Sequence, residues 1–259
     1  FWYDELLQVN IAANHLPLLL SKLAENSAMP LDYSLTHVLL IFGRTEFWLR
    51  FPAAIWGVLT LPLLYQIGRR LFDRAIGVTA AGLLAVIGVH AFYSQELRPY
   101  ALLTFLVTLS FYFLIRVLHT RRNRYWVAYS LTIGLAVFTH YFTLFLIGAQ
   151  GLIFLIVWLR DRALRQDQSI GKTDILKFAS ALIPIGIILA LTPWFGSLLN
   201  VGRLFVESII APSAVPSSAF LGQLRGDAPH LNWNFVQDKI LTNFTGGEPI
   251  LPYAFLILW

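Results

Sequence analysis

The sequence predicts an all-α protein: a polytopic transmembrane helical bundle with juxtamembrane helices in its first external loop. Three observations carry this. Hydrophobic residues make up 57% of the chain and charged residues only 13%, with a mean hydropathy of +0.66, whereas a soluble domain carries about 25% charged residues. The basic residues fall in short clusters between apolar runs of about 20 residues, the pattern of membrane topology rather than of a phosphate-binding stripe, which argues against nucleic acid despite a net charge of +5. Eight tryptophans and ten tyrosines supply rings suited to anchoring helix ends at the membrane interface. The absence of cysteine excludes a disulfide framework, a thiolate nucleophile and a cysteine zinc site.

In chain order, residues 1–46 read as one structured external loop. Within it, segment 30–43 is apolar enough to suggest a span, but it is short and contains Asp32 and His37. A juxtamembrane helix on the outer surface is therefore expected there. Apolar runs of spanning length follow at 47–68, 75–94, 99–118, 125–159 and 176–199. The fourth would make about 50 Å of helix against a hydrocarbon core of about 30 Å. It is expected to be two spans that reverse near 139–143, giving six in all. Residues 200–248 read as a second external loop, rich in Pro, Ser and Gly and containing the sequon Asn243-Phe244-Thr245, and 249–259 as the start of a further span. The sequence begins at Phe1 rather than Met, so a helix is expected to precede it, and no targeting signal is legible. No internal repeat and no soluble domain is evident.

Orientation follows from the basic residues. If the spans alternate, Arg69, Arg70, Arg74, Arg116, Arg121, Arg122, Arg124, Arg160, Arg162, Arg165, Lys172 and Lys177 share one side, twelve of the nineteen Lys and Arg residues. That side is expected to be cytoplasmic. Were segment 30–43 to cross the membrane, every later basic cluster would face outward.

Polar groups near a bilayer are costly, so their placement is informative. Asp4 and Glu5 follow aromatic residues at a helix exit; they read either as helix-capping acids or as a general base held at the water boundary. The short turn Tyr93-Ser94-Gln95-Glu96-Leu97-Arg98-Pro99-Tyr100 is crowded with hydrogen-bonding groups. Either Glu96 pairs with Arg98 to close the turn, or Arg98 clamps a phosphate, whose oxygens match a guanidinium bidentately. His140, in Thr139-His140-Tyr141-Phe142 at the expected reversal, reads as an interfacial residue, as a cavity residue orienting a sugar hydroxyl, or as a ligand for a divalent cation. Arg50 fits snorkelling to headgroups. Asp32 and His37 are expected to face water from the juxtamembrane helix, and His90 to pack near the end of its span. No paired-histidine spacing supports a metal site built from protein alone.

Taken together these pieces resemble the GT-C class of membrane glycosyltransferases, in particular the family 39 type related to protein O-mannosyltransferases and lipid A aminoarabinose transferases. The matching residues are Trp2-Tyr3-Asp4-Glu5, Pro30-Leu31 through His37 to Phe42-Gly43-Arg44-Thr45-Glu46-Phe47, and Arg50-Phe51-Pro52. They continue with Gly68-Arg69-Arg70-Leu71, Tyr93-Ser94-Gln95-Glu96 with Arg98 and Tyr100, and Thr139-His140-Tyr141. The resemblance covers about the first 145 residues by motif. One departure is Ala28-Met29-Pro30-Leu31, where family members often have His-Pro-Pro-Leu.

The resemblance implies a polyprenyl-phosphate sugar donor and inverting transfer to a lipid, protein or glycan acceptor on the non-cytoplasmic side of a bacterial inner membrane. Asp4 matches the acid that deprotonates the acceptor. Glu5, His37, Arg50, Glu96, Arg98, Tyr100, His140 and Tyr141 are implied as substrate-binding or supporting residues. The resemblance implies no specific cofactor, with a divalent cation as an option. A transporter or lipid flippase is the alternative, kept open by the breaks at Pro184-Ile185-Gly186 and Thr192-Pro193. The charge-free middles of the spans count against it.

Overall fold

The computed structural model describes residues 3–26, 28–163 and 172–196, with single positions at 199, 203 and 206. The expected external loop at 200–248, its sequon and the further span at 249–259 lie almost wholly outside the described residues. The described chain is helical throughout, with no strand among the described residues.

Three helices make up the first loop: α1 (Tyr3–Ala12), α2 (Leu16–Glu25) and α3 (Pro30–Phe42). Proline in the first turn starts both α2 and α3, where its missing N–H costs nothing, and α3 stops at Gly43. At thirteen residues α3 is about 20 Å long, shorter than a bilayer core. It packs on α1 and on the bundle.

The bundle begins with α4 (Glu46–Leu71). Thr45 caps it by accepting from the Trp48 N–H at 3.3 Å, and Glu46 at its start and Arg69 and Arg70 at its end both complement the helix dipole. Next come α5 (Arg74–Val86), capped by Asp73, which accepts from the Ile76 N–H at 2.8 Å, and the short α6 (Gly88–Tyr93). Run 75–94, expected as one span, is thus broken. Ile87 leaves the helical conformation at φ −69°, ψ 116°. The Val86-Ile87-Gly88 sequence invites this, because β-branched residues and glycine are poor helix formers. The last elements are α7 (Tyr100–Thr120), α8 (Asn123–Thr139), α9 (Thr143–Ala163) and α10 (Lys172–Ala190).

Helices Glu46–Leu71, Tyr100–Thr120, Thr143–Arg160 and Thr173–Ala190 are each long and apolar enough to cross a membrane. Large apolar side chains such as Val58, Val78, Leu131 and Ile156 stay exposed on the bundle, as a lipid solvent permits. The expected reversal falls at residues 140–142, between α8 and α9, where Thr143 Oγ1 donates to the Ala136 carbonyl at 2.7 Å. Pro184 lies inside α10 without ending it. The helix stops instead before Thr192-Pro193, short of the expected residue 199, because the residue ahead of a proline disfavours the α conformation.

Helix α4 lies between α5 and α7, while α8 packs on α7 and α10. The α4–α5 crossing needs glycine: a Cβ at Gly68 would come within 2.7 Å of the Gly77 Cα. Inside the bundle, the buried Tyr129 hydroxyl donates to Gln150 Oε1 at 2.8 Å, and Gln150 Nε2 donates to Ser110 Oγ at 2.7 Å, joining α8, α9 and α7. Buried polar groups that satisfy one another in this way specify helix register without exposing polarity to lipid.

The first loop is fastened to the bundle by one buried ion pair. Glu5 is 1% exposed and accepts from Arg50 Nε at 2.9 Å and from Arg50 Nη2 at 2.6 Å. Its Oε1 also accepts the Leu97 N–H at 2.8 Å. Arg50 reaches Glu46 as well, at 2.5 Å, so it is held in the protein rather than snorkelling to headgroups as its position suggested. At the far side, Trp194 Nε1 donates to the Ala28 carbonyl at 2.7 Å, tying the segment after α10 to the start of α3.

Removing one partner of a buried pair strands the other. Glu5→Ala is therefore expected to cost about 3 kcal/mol of stability, with Glu5→Gln costing less because its amide oxygen can still accept from Leu97. Thermal unfolding of the detergent-solubilised protein measures both. In the same assay Gly68→Leu is expected to lose about 1–3 kcal/mol by forcing α4 and α5 apart.

Candidate active site

The pair Asp4-Glu5 shows how the site is set. Adjacent helical residues are rotated by about 100°, so when Glu5 points into the bundle Asp4 faces a different direction. Asp4 remains 44% exposed, and its Oδ2 stands 3.7 Å from Nη2 of Arg98, which is only 15% exposed. The turn that carries Arg98 is placed by two contacts: the Leu97 N–H on Glu5, and Ser94 packed on Gly57, where any side chain would overlap it. His90 Nε2 lies 3.3 Å from the Gly57 carbonyl, a packing role as its sequence context suggested.

The Arg98 guanidinium lies 5.7 Å from the centre of the Tyr100 ring. Tyr100 in turn packs against Tyr93, with ring centres 4.8 Å apart, and against His140 at 6.0 Å. His140 Nδ1 accepts the Phe142 N–H at 3.2 Å, which assigns the ring proton to Nε2. Burial, helped by the charge of Arg98, pushes the His140 pKa down to about 4, so the imidazole is neutral at physiological pH.

Glu96 does not pair with Arg98 across the turn; among the described residues the ion-pair partner of Arg98 is Asp4. Burial, and next the charge of Glu5, raise the Glu96 carboxyl to about 7 against the attraction of Arg98 and Arg50. Asp32, expected to face water, instead accepts from Gln8 Nε2 through its Oδ2 at 2.6 Å. Burial raises its pKa to about 6, opposed by that hydrogen bond and by Arg98. Neighbouring Tyr33 also has its pKa raised by burial and lies in the field of Arg98, Asp32, Asp4 and Tyr100. Asp32 and Tyr33 thus lie within the electrostatic reach of Arg98, and Asp32 stands in the first turn of α3.

Of the expected site residues, Glu5 and Arg50 pair with each other in the frame, and Tyr141 and His37 also go elsewhere. Tyr141 is buried among Ile11, Leu19, Leu23, Met29 and Trp194, holding the first loop down rather than facing Arg98. His37 Nδ1 lies 2.7 Å from the Ala12 carbonyl and secures the end of α1. Among the described residues, no three of His, Cys, Asp and Glu come together as a metal-ligand set. The arrangement brings together an accessible carboxylate, a partly buried guanidinium, aromatic faces and a neutral imidazole at one end of the bundle. That combination suits an anionic group next to a hydroxyl that must lose a proton.

The family model for dolichyl-phosphate-mannose-protein mannosyltransferase matches residues 27–192. That stretch includes Asp32, Arg50, Glu96, Arg98, Tyr100 and His140, whereas Asp4 and Glu5 precede it and reach the site through the fold. No curated protein and no solved structure matches the chain. With well over half its length matched and an all-α bundle built on membrane-spanning helices, the chain belongs to the dolichyl-phosphate-mannose-protein mannosyltransferase family of membrane glycosyltransferases.

Proposed function

We propose that this chain transfers a hexosyl or pentosyl group from a polyprenyl-phosphate donor to an acceptor hydroxyl of a lipid, protein or glycan, inverting the anomeric carbon. The reading rests on Asp4 and Arg98, an accessible carboxylate 3.7 Å from a largely buried guanidinium. Without ligand, the two neutralise each other. The donor phosphate competes with Asp4 for Arg98, and its arrival frees the carboxylate to act as a base.

Asp4 then takes the acceptor proton as the acceptor oxygen attacks the anomeric carbon from the face opposite the phosphate. The bond from that carbon to the phosphate oxygen breaks, and its electron pair leaves with the phosphate. Arg98 holds the negative charge that develops there. A lipid phosphate leaves without prior protonation, so the step needs a base and a cation but no acid. Neutral His140, with its Nε2–H, and the Tyr100 ring offer a donor and a stacking face to the sugar.

The basic clusters Arg69–Arg70–Arg74 and Arg116–Arg124, with Arg160, Arg162 and Lys177, sit at the opposite ends of the helices from Arg98, which supports a site on the non-cytoplasmic side. Proton transfer by a positioned base is worth about 10²–10⁴ in rate. Asp4→Asn is therefore expected to lower kcat by that factor while donor still binds, and unchanged product formation by the folded variant would remove Asp4 as the base. Arg98→Ala should weaken donor binding more than Arg98→Lys, measured with a labelled polyprenyl-phosphate sugar; full binding by both would remove Arg98.

A pH effect follows from Glu96. Its carboxyl, raised from 4.5 to about 7, is neutral below that pH and ionised above it. The donor phosphodiester carries one negative charge across this range, so its affinity is expected to fall as pH rises through about 7. Glu96→Gln should flatten the profile, and a wild-type profile already flat between pH 6 and about 8 would contradict this.

A further inference from the structure

A second ligand-sized feature lies at the other end of the bundle. A groove of about 390 Å³ opens between α4 and α7, lined by Leu63, Gln66, Arg69, Arg70, Phe105 and Tyr112, among others. Arg70 is twenty residues beyond Arg50 on the same helix, about 30 Å along its axis, so this groove sits at the opposite membrane face from Arg98. Its two ends differ in chemistry. Leu63 and Phe105 make one end apolar, while two guanidiniums and an amide make the other polar.

The polar end is unfinished by the fold itself. Among the described residues neither Arg69 nor Arg70 forms an ion pair. The buried Arg70 Nε and Gln66 Oε1 have no hydrogen-bond partner. Buried polar atoms left in this way are uncommon and point to a missing partner. Arg70 lies 5.5 Å from the centre of the Tyr112 ring, which lines the groove and holds that cation there, and Arg69 lies 5.7 Å from the ring of Tyr65. The Gly68–Gly77 contact fixes this end of α4 against α5 and keeps the two arginines in place.

We infer that this groove binds an anionic phospholipid of the leaflet opposite the candidate active site, its phosphate on Arg69 and Arg70 and one acyl chain against Leu63 and Phe105. A free anion would use the arginines but not the apolar wall. A chain-bearing phosphate uses both. Basic pockets between transmembrane helices are suited to such headgroups, and a guanidinium offers a phosphate two parallel donors. The inference stands apart from the transfer reaction, since it uses none of the residues assigned to it.

Native mass spectrometry of the intact protein, titrated with dioleoyl-phosphatidylglycerol and separately with dioleoyl-phosphatidylcholine, tests this directly. Wild type is expected to retain the anionic lipid about tenfold more tightly than the zwitterionic one. The double variant Arg69→Gln/Arg70→Gln should lose that preference. Leu63→Trp keeps both charges but fills the groove, and should lower phosphatidylglycerol binding by a similar factor. Millimolar inorganic phosphate should fail to displace the lipid. Full retention by the arginine variant, or by Leu63→Trp alone, would overturn the inference, as would displacement by inorganic phosphate, which would mark a simple anion site.

Discussion

Everything at the candidate site depends on the burial of one carboxylate. Glu5 is almost completely removed from solvent, and an isolated charge there would be prohibitively costly. Its position is tolerable because Arg50 meets both of its oxygens and the Leu97 N–H takes a further lone pair. Those contacts come from α1, α4 and the turn before α7, so satisfying one charge locks three elements of distant sequence. Asp4, next in the chain, is then carried to the Arg98 side of the turn.

The remaining polar groups adjust to the field this creates. Glu96 and Asp32 resist ionisation mainly because they are buried, and His140 stays neutral for the same reason, with Arg98 adding to the effect. The consequence is a site in which Arg98 faces a neutral imidazole and a Glu96 carboxyl that is only partly ionised near pH 7. A preorganised cation beside an accessible base suits the departure of an anionic leaving group under attack by a hydroxyl.

Much of the bundle was legible in sequence. Apolar runs gave α4, α7 and α10 to within a few residues at their starts, and the excess length of run 125–159 located the reversal that the structure has at residues 140–142. The break at Ile87 was not read, because hydropathy is blind to local helix propensity. The site was legible in part: Asp4, Glu96, Arg98, Tyr100 and His140 do gather, since all sit at helix ends on one face. Arg50 reads in sequence as a headgroup or substrate contact, and Asp32 as a surface residue, because their partners Glu5 and Gln8 are 45 and 24 residues away. Tyr141 lies beside His140 in the chain but turns into the apolar cluster beneath α2, a choice of side that adjacency does not encode.

The central claim is that the donor phosphate takes the place of Asp4 on Arg98 while the Glu5–Arg50 pair holds the frame. The most direct test is an electron cryomicroscopy structure of the protein with a bound non-hydrolysable polyprenyl-phosphonate sugar. The account predicts phosphonate oxygens within hydrogen-bond distance of the Arg98 guanidinium, Asp4 released toward the anomeric carbon, and Glu5 still paired with Arg50. A ligand bound elsewhere, with the Asp4–Arg98 pair intact, would contradict it.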